Sequence, residues 1–477
     1  MKEPIDLEPL FPDRTSDEPL GAQLVRRLRA AVESGFFPAA SRLLPSRELA
    51  RRLGVSRNTV TSALDQLIAE GYLDTRVGAG TFVTSTLHAA RSRPAATSRS
   101  LPAAARDLAA VSEQLDEVGS SFGPLRVGAP DLAAFPLRAW HRIERRNIGF
   151  ADSHLDYGDG AGLPALREAI SRHIAQFRGV VADPDQIIVV EGAQAALHLI
   201  AIVLTRSGER VAIEDPCYQL ARAIFAAKGL LLHGVTVDRD GMRTAELPRE
   251  ASLAYVTPSH QFPLGGAMPL ARRTGLLEWA QACNAYVVED DYDSEFDAHP
   301  LPALQSLDRD ERVIYVGTLS KTLAPGLRLG YVVAPRHLAP AFRFARTVTS
   351  LGASAHLQKT VADFLAQGYF SRHVRRMTGI YERRRRILVD ALAKKLPPGF
   401  TIGPAQTGLH VAIVGPADFD DVRAANNLPE GNRVLPLSLL CLERKDCKGF
   451  LVGFSAGSDE SIARAAAMLA GALAPGS

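Results

Sequence analysis

Residues 316–331, VGTLSKTLAPGLRLGY, decide how the larger part of this 477-residue chain is read. An apolar run of strand character ends there in Lys321, with Thr318, Ser320 and Arg328 around it. The chain holds eight lysines, and the other seven (Lys2, Lys228, Lys359, Lys394, Lys395, Lys445 and Lys448) stand in helical, terminal or loop contexts. An S-K dipeptide alone carries no information. A lysine placed directly behind a buried strand is different, because two hydroxyls and a guanidinium beside it offer the donors that a phosphate dianion requires. The spacing T-x-S-K, with arginine seven residues on, points to a Schiff-base lysine next to a phosphate, which is the chemistry of pyridoxal 5'-phosphate.

Outward from this stretch, strand-like runs at 187–190 (IIVV), 210–215 (RVAIED), 253–258 (LAYVTP), 285–291 (AYVVEDD) and 312–317 (RVIYVG) alternate with longer helical patterns. Such alternation predicts an α/β domain with a mainly parallel sheet, whose ligands sit at the carboxyl ends of the strands. The residues just after each run are therefore the candidates. AYVVEDD ends in acids, and Asp290 is the choice for the cofactor's pyridine nitrogen, since a buried aspartate favours the protonated ring. Tyr292 is two residues on, within reach of the ring's phenolic oxygen. Gly192, Ala193 and Gln194 open a helix after IIVV, so their free N–H groups and the helix dipole form an anion site. Tyr218 follows RVAIED, where an aromatic ring can stack on the cofactor or meet the substrate. His260 and Gln261 follow LAYVTP, and either can reach the ring oxygen or an incoming amine; a lone histidine is more often structural.

The stretch 44–83, LPSRELARRLGVSRNTVTSALDQLIAEGYLDTRVGAGTFV, has another design. Two helices meet at a Gly54-Val55 turn, with Ser46 and Ser56 as expected caps, Glu48 in the first turn of one helix and Gly71 past the end of the other. Val60, Ala63, Leu64, Leu67 and Ile68 recur at helical spacing, leaving Arg57, Asn58, Thr59 and Thr61 at the exposed leading end. That end of a second helix is what enters a major groove, and arginine, asparagine and threonine suit guanine, adenine and thymine or phosphate. A hairpin wing follows, turning at Gly78-Ala79-Gly80 and presenting Arg76 to a phosphate or minor groove. From Leu20 to Thr86 nine arginines stand against five acids, a local excess of four.

The formal net charge of the whole chain is only +3, which argues against a surface coated with nucleic acid, so any basic face is local. Four cysteines, Cys217, Cys283, Cys441 and Cys447, show neither metal-ligand spacing nor a disulfide framework. The acidic, proline-broken start of the chain and the lack of an apolar run of about 18 residues lead to the expectation of a soluble cytoplasmic protein with no metal and no membrane partner. Composition divides the chain into a DNA-binding domain at 1–86, a linker at 87–120 rich in Ala, Ser, Arg and Pro, and an effector domain at 121–477. Within the linker, 103–118 has a helical pattern.

Residues 44–83 resemble the winged helix-turn-helix of GntR-type regulators through LPSREL, GVSRNTV, AEGYL and GTFV. The resemblance implies that Arg47, Arg57, Asn58, Thr59 and the wing near Gly78 contact double-stranded operator DNA, with a dimer on paired half-sites. From Phe122 to Ala474 the chain is similar to fold-type I aminotransferases. The segments DYGDGAGLPALREAI, EGAQAAL, EDPCY, TPSHQFP, VVEDDYDSEF and GTLSKTLAPGLRLGY look like those of the MocR/GabR subfamily. This implies that Lys321 forms the internal aldimine, that Asp290 pairs with the pyridine nitrogen, and that Tyr157 reaches the phosphate of the neighbouring subunit in a homodimer. It also implies a transcriptional regulator that senses an amine or amino-acid-like effector through external aldimine formation at Lys321. Two alternatives stay open: an active aminotransferase, or a regulator that senses pyridoxal phosphate itself. Related aminotransferases clamp the substrate carboxylate with an arginine near the C-terminus, whereas residues 435–457 hold only Arg444, with Arg433 just before them.

Overall fold

The computed structural model describes residues 7–76, 78–84, 102, 105–106, 123–148, 158–297, 300–406, 408–429, 431–432 and 434–473. The chain divides into two compact units, Met1–Leu101 and Pro102–Ser477. Apart from Pro102, Ala105 and Arg106, the expected linker at 87–120 lies outside the described residues, as does Tyr157.

In the first unit, helices Leu20–Glu33, Ser46–Leu53 and Arg57–Ala69 precede an antiparallel hairpin of β1 (Leu73–Arg76) and β2 (Gly80–Val83). Leu24, Leu28, Leu49, Val60 and Leu67 close a small core between them. Gly54 takes the left-handed conformation (φ 65°) that turns the second helix into the third. Ser56 caps the third helix, its Oγ accepting from the Thr59 N–H at 3.1 Å. The expected cap at Ser46 does not form. Pro45 occupies the N-cap position, its carbonyl accepts from the Glu48 and Leu49 N–H groups, and Ser46 is already helical without a side-chain cap bond.

The second unit is built on an eight-stranded sheet: β3 (Ile187–Val190), β4 (Arg210–Asp215), β5 (Leu231–Asp238), β6 (Gly241–Met242), β7 (Ala251–Val256), β8 (Tyr286–Asp291), β9 (Val313–Thr318) and β10 (Gly330–Val333). Its order is β3-β10-β9-β8-β7-β4-β5-β6. Strands β9, β8, β7, β4 and β5 run parallel, while β10 and β6 are antiparallel to their neighbours. Helices cover both faces, so the strands are buried on both sides and read as unbroken apolar runs. Ile188 and Val190 face one core cluster and Ile187 and Val189 another, which is the period-two alternation of a strand. Strands β11 (Thr401–Ile402), β12 (His410–Val414), β13 (Leu435–Pro436) and β14 (Gly449–Gly453) form a second, antiparallel sheet in the order β11-β12-β14-β13.

Replacing Ser56 by Ala removes the one side-chain cap of the third helix and is expected to lower its local stability by about 1 kcal/mol. Ser46→Ala should cost much less, because no cap bond is lost. Amide hydrogen exchange across Arg57–Ala69 and Ser46–Leu53 measures both.

Candidate functional site

The carboxyl ends of β7, β8 and β9, the start of helix Ala193–Leu204 and the beginning of β12 surround a cavity of about 320 Å³. Lys321, Asp290, Tyr292, Thr318, Ser320, Arg328, Ala193, Gln194 and Tyr218 all line it. One stretch of sequence after each of several strands thus meets the others at one point, as a doubly wound sheet dictates.

Asp290 enters the cavity because β8 alternates. It shares a face with Val288, while Glu289 and Asp291 point the other way and are held there. Glu289 accepts the Leu304 and Gln305 N–H groups at 2.8 and 2.9 Å. Asp291 receives the Arg178 guanidinium and the Tyr315 hydroxyl, each at 2.7 Å. For Asp290 itself, Oδ2 accepts from the Tyr255 hydroxyl at 2.7 Å, while Oδ1 is buried without a partner. Burial pushes the Asp290 carboxyl up to about 6, against the lowering effect of Tyr255. A buried carboxyl with one free oxygen at a cavity wall is suited to a ring N–H, which would satisfy that oxygen and favour the anion.

Lys321 stands across from it. Its Nζ donates to the Gly128 carbonyl at 2.7 Å, and burial lowers its pKa while Asp293 and Asp290 oppose the shift. A Cβ built on Gly128, whose φ is 66°, would lie 2.7 Å from that nitrogen and make the amine shift from this position. A lysine of lowered pKa is more often the free amine, the form that attacks a carbonyl.

The anion corner is made by the N-terminus of Ala193–Leu204 together with Thr318, Ser320 and Arg328. Arg328 holds a left-handed backbone (φ 47°), and its guanidinium would sit 3.4 Å from a Cβ on Gly192. Gly192 (φ 95°) starts the helix in a conformation that favours glycine, with the guanidinium beside it. The Gln194 amide is hydrogen-bonded to the Tyr218 hydroxyl, and burial raises Tyr218 to about 12, so it stays neutral.

His260 and Gln261 stand behind the cavity wall. The Tyr292 hydroxyl donates to the His260 carbonyl at 2.9 Å and lies 3.0 Å from His260 Nδ1, which also meets Asp293 at 3.1 Å. Gln261 bonds Glu214, the Pro216 and Phe262 carbonyls and the Leu264 N–H, which fixes the loop after β7. His260, Asp293 and His410 each place a ligand atom within 4.8 Å of the others. The two imidazoles are nonetheless stacked, 4.6 Å apart with planes at 29°, so their lone pairs do not converge as a metal requires. Sequence reasoning missed Tyr255, His410, Asp293 and Phe262 as lining residues. Arg444 is bound to Asp446 and the Val237 carbonyl and does not line the cavity, and Arg433 lies outside the described residues.

In the first unit, Arg47, Ser56, Arg57, Asn58, Thr61, Arg76 and Gly78 are exposed and Thr59 is half-buried. Thr59 Oγ1 is 2.8 Å from Ser56 Oγ, which ties the cap to the leading turn. The Arg76 guanidinium rests on the Phe82 ring, 4.6 Å from its centroid, and so is carried on the wing.

A transcription regulator that carries an aminotransferase-type domain is the class of protein these two units define. Residues 20–83 match the family of bacterial regulatory proteins called gntR, and residues 124–435 match aminotransferase class I and II. The "Probable rhizopine catabolism regulatory protein MocR" of Rhizobium meliloti is 37% identical over 461 residues, 95% of this chain and 93% of that protein. The "HTH-type pyridoxine biosynthesis transcriptional regulator PdxR" of Corynebacterium glutamicum is 34% identical over 416 residues, 86% of this chain and 85% of that protein. An archaeal alanine:glyoxylate aminotransferase superposes with a TM-score of 0.70 at 26% identity, over 78% of this chain and 97% of that one. The chain belongs to the MocR/GabR subfamily of GntR-type transcriptional regulators, and its cofactor is pyridoxal 5'-phosphate. The buried aspartate oxygen, the desolvated lysine and the glycine-lined anion corner fit that cofactor. Among the described residues no helix is long and apolar enough to cross a membrane.

Without cofactor, the Asp290 pKa of about 6 lies above its ordinary 3.8. The folded state then binds more protons than the unfolded state between those values, so this group destabilises the fold increasingly as pH rises through about 6. Cofactor-free Asp290→Asn is expected to be more stable than the parent above about pH 7, by up to about 3 kcal/mol, with the difference fading toward pH 4. Urea unfolding at both pH values checks this.

Proposed function

We propose that this regulator senses a primary amine, amino-acid-like or otherwise, at Lys321, and that capture of the amine changes operator binding. The observation that carries the proposal is the placement of Lys321 and Asp290 in one buried cavity on a chain that also bears a DNA-reading head. When bound, pyridoxal 5'-phosphate supplies an aldehyde that condenses reversibly with amines and a ring that withdraws electrons once its nitrogen is protonated. Asp290 would hold the ring nitrogen, Tyr218 would face the ring, Tyr292 would turn its hydroxyl to the phenolic oxygen, and Arg328, Ser320, Thr318 and residues 192–194 would hold the phosphate. His260 acts as a positioning residue, since it fixes the Tyr292 hydroxyl. The free Lys321 amine has a resting place at the Gly128 carbonyl.

A regulatory role is favoured over turnover by the cavity wall. Arg328 is the only arginine among its described lining residues, and the phosphate claims it. An active aminotransferase for amino acids would need a further guanidinium for the substrate carboxylate. Regulation requires that the effector bind two arrangements of the protein with unequal affinity, since equal affinity shifts nothing. We assign the segment 87–120 the role of linker between the two halves. The working unit is a homodimer in which Tyr157 reaches the phosphate of the neighbouring subunit, and the protein acts in the cytoplasm.

Lys321→Ala is expected to lose the visible absorbance of the holoprotein and the amine-dependent change in operator binding, while keeping operator binding without amine. Retention of both cofactor absorbance and amine response would defeat the proposal. Arg57→Ala should weaken operator binding by about 1–3 kcal/mol and relax preference at one base pair, without changing the spectrum. Fluorescence anisotropy with labelled operator measures this.

A further inference from the structure

Part of the cavity lining is left over by the groups assigned to the cofactor: Val127, Phe262, Leu409, Leu435 and His410. Val127, Phe262 and Leu435 are packed on an apolar cluster of Ala412, Leu437, Leu440 and Leu451, contributed by β12, β14 and the turn Leu437–Leu440. This wall is thus the face of a hydrophobic core, and whatever lies on it is shielded from water. It also adjoins the lysine. Val127 precedes Gly128, whose carbonyl receives Lys321 Nζ at 2.7 Å, and the charge of Lys321 works against a proton on His410. An amine held beside Lys321 Nζ would have these residues as neighbours of its carbon skeleton.

The charges set here do not suit a second carboxylate. Asp293 lines the cavity, is 1% exposed, accepts the Leu409 N–H at 3.2 Å and meets His260 Nδ1 at 3.1 Å. Among the described lining residues the lysine and arginine cations are Lys321, where the amine docks, and Arg328, in the phosphate corner. Arg126, whose charge also bears on Lys321, is exposed and does not line the cavity. A carboxylate laid on the wall would lose its water beside an acid. His410 offers something else. It is 1% exposed, and its Nε2 is buried without a partner among the described residues. Burial, with His260 and Lys321 nearby, holds its pKa well below the ordinary range, so the ring is neutral and brings no cation. A hydroxyl both donates and accepts, and so satisfies that nitrogen in either tautomer.

We propose that the effector is a primary amine without a carboxylate, whose uncharged carbon skeleton rests on Val127, Leu409 and Leu435 and whose hydroxyl meets His410 Nε2. This rests on amine sensing at Lys321, as proposed above, and names the class of amine. Leu435 and His410 are then the residues that set specificity: the first denies a carboxylate a counter-charge, and the second rewards a hydroxyl.

The test uses the full-length holoprotein and three amines with the same four-carbon chain: 4-amino-1-butanol, butylamine and 4-aminobutyrate. Visible absorbance and the anisotropy of labelled operator DNA are followed in parallel titrations. Half-saturation by 4-amino-1-butanol is expected at a concentration about tenfold or more below that of 4-aminobutyrate, with butylamine between them. 4-Aminobutyrate acting at an equal or lower concentration would overturn the inference and leave amine sensing in place. Butylamine matching 4-amino-1-butanol would refute the hydroxyl contact at His410. If no amine changes either signal, amine sensing itself fails and the inference with it. Leu435→Arg puts a cation on the wall and is expected to reverse the order in favour of 4-aminobutyrate. An unchanged order in a Leu435→Arg protein that retains cofactor absorbance would overturn the placement of the effector on this wall. The titrations of the unaltered protein need no variant to fold.

Discussion

Burial works against charge on both Asp290 and Lys321, and the second unit is organised around keeping these two groups in one cavity regardless. Each sits just past or at the end of one of two adjacent parallel strands, β8 and β9, so the sheet itself fixes their separation. The desolvation that is costly for the fold raises the aspartate pKa and lowers that of the lysine, the environment that a nucleophilic amine and an acid paired with a cationic ring would require. Everything nearby serves this balance: Tyr255 satisfies one aspartate oxygen, Gly128 receives the lysine N–H, and the neighbouring acids are neutralised on the opposite face by Arg178 and backbone amides.

The anion corner follows a different principle. It does not depend on burial of opposite charges but on backbone groups left without helical partners, joined by one guanidinium. Gly192 opens the helix beside that guanidinium with φ 95°, a backbone conformation that L side chains rarely adopt. The positive corner and Asp290 line the same cavity, which thus offers both an anion site and an acid to one molecule.

Much of this was legible from residue order. Strands at 187–190 and 210–215 match their expected bounds, and those of β8 and β9 shift by one residue, because unbroken apolar runs between turn residues are what a doubly covered sheet requires. β5, β6, β10 and the small second sheet were not foreseen: β5 is mostly half-buried and β6, β11 and β13 have two residues each, so period carries little signal there, whereas β10, β12 and β14 are short buried apolar runs that were passed over. Tyr255 and His410 escaped notice for another reason. Each lies in an apolar strand and acquires its meaning from a partner distant in sequence, Asp290 in one case and the stacked His260 in the other. The expected cap at Ser46 failed because a proline immediately before it already sets the chain direction into the helix.

Arg328 shows what such a site demands of evolution. An arginine with φ 47° stands where glycine would rest more comfortably, at a cost on the order of 1 kcal/mol. Heat resistance and the retention of a guanidinium in the cavity wall consequently pull this position in opposite directions. A library sorted only for survival at high temperature would enrich small or flexible replacements at 328 and, in doing so, discard the positive charge in the cavity wall.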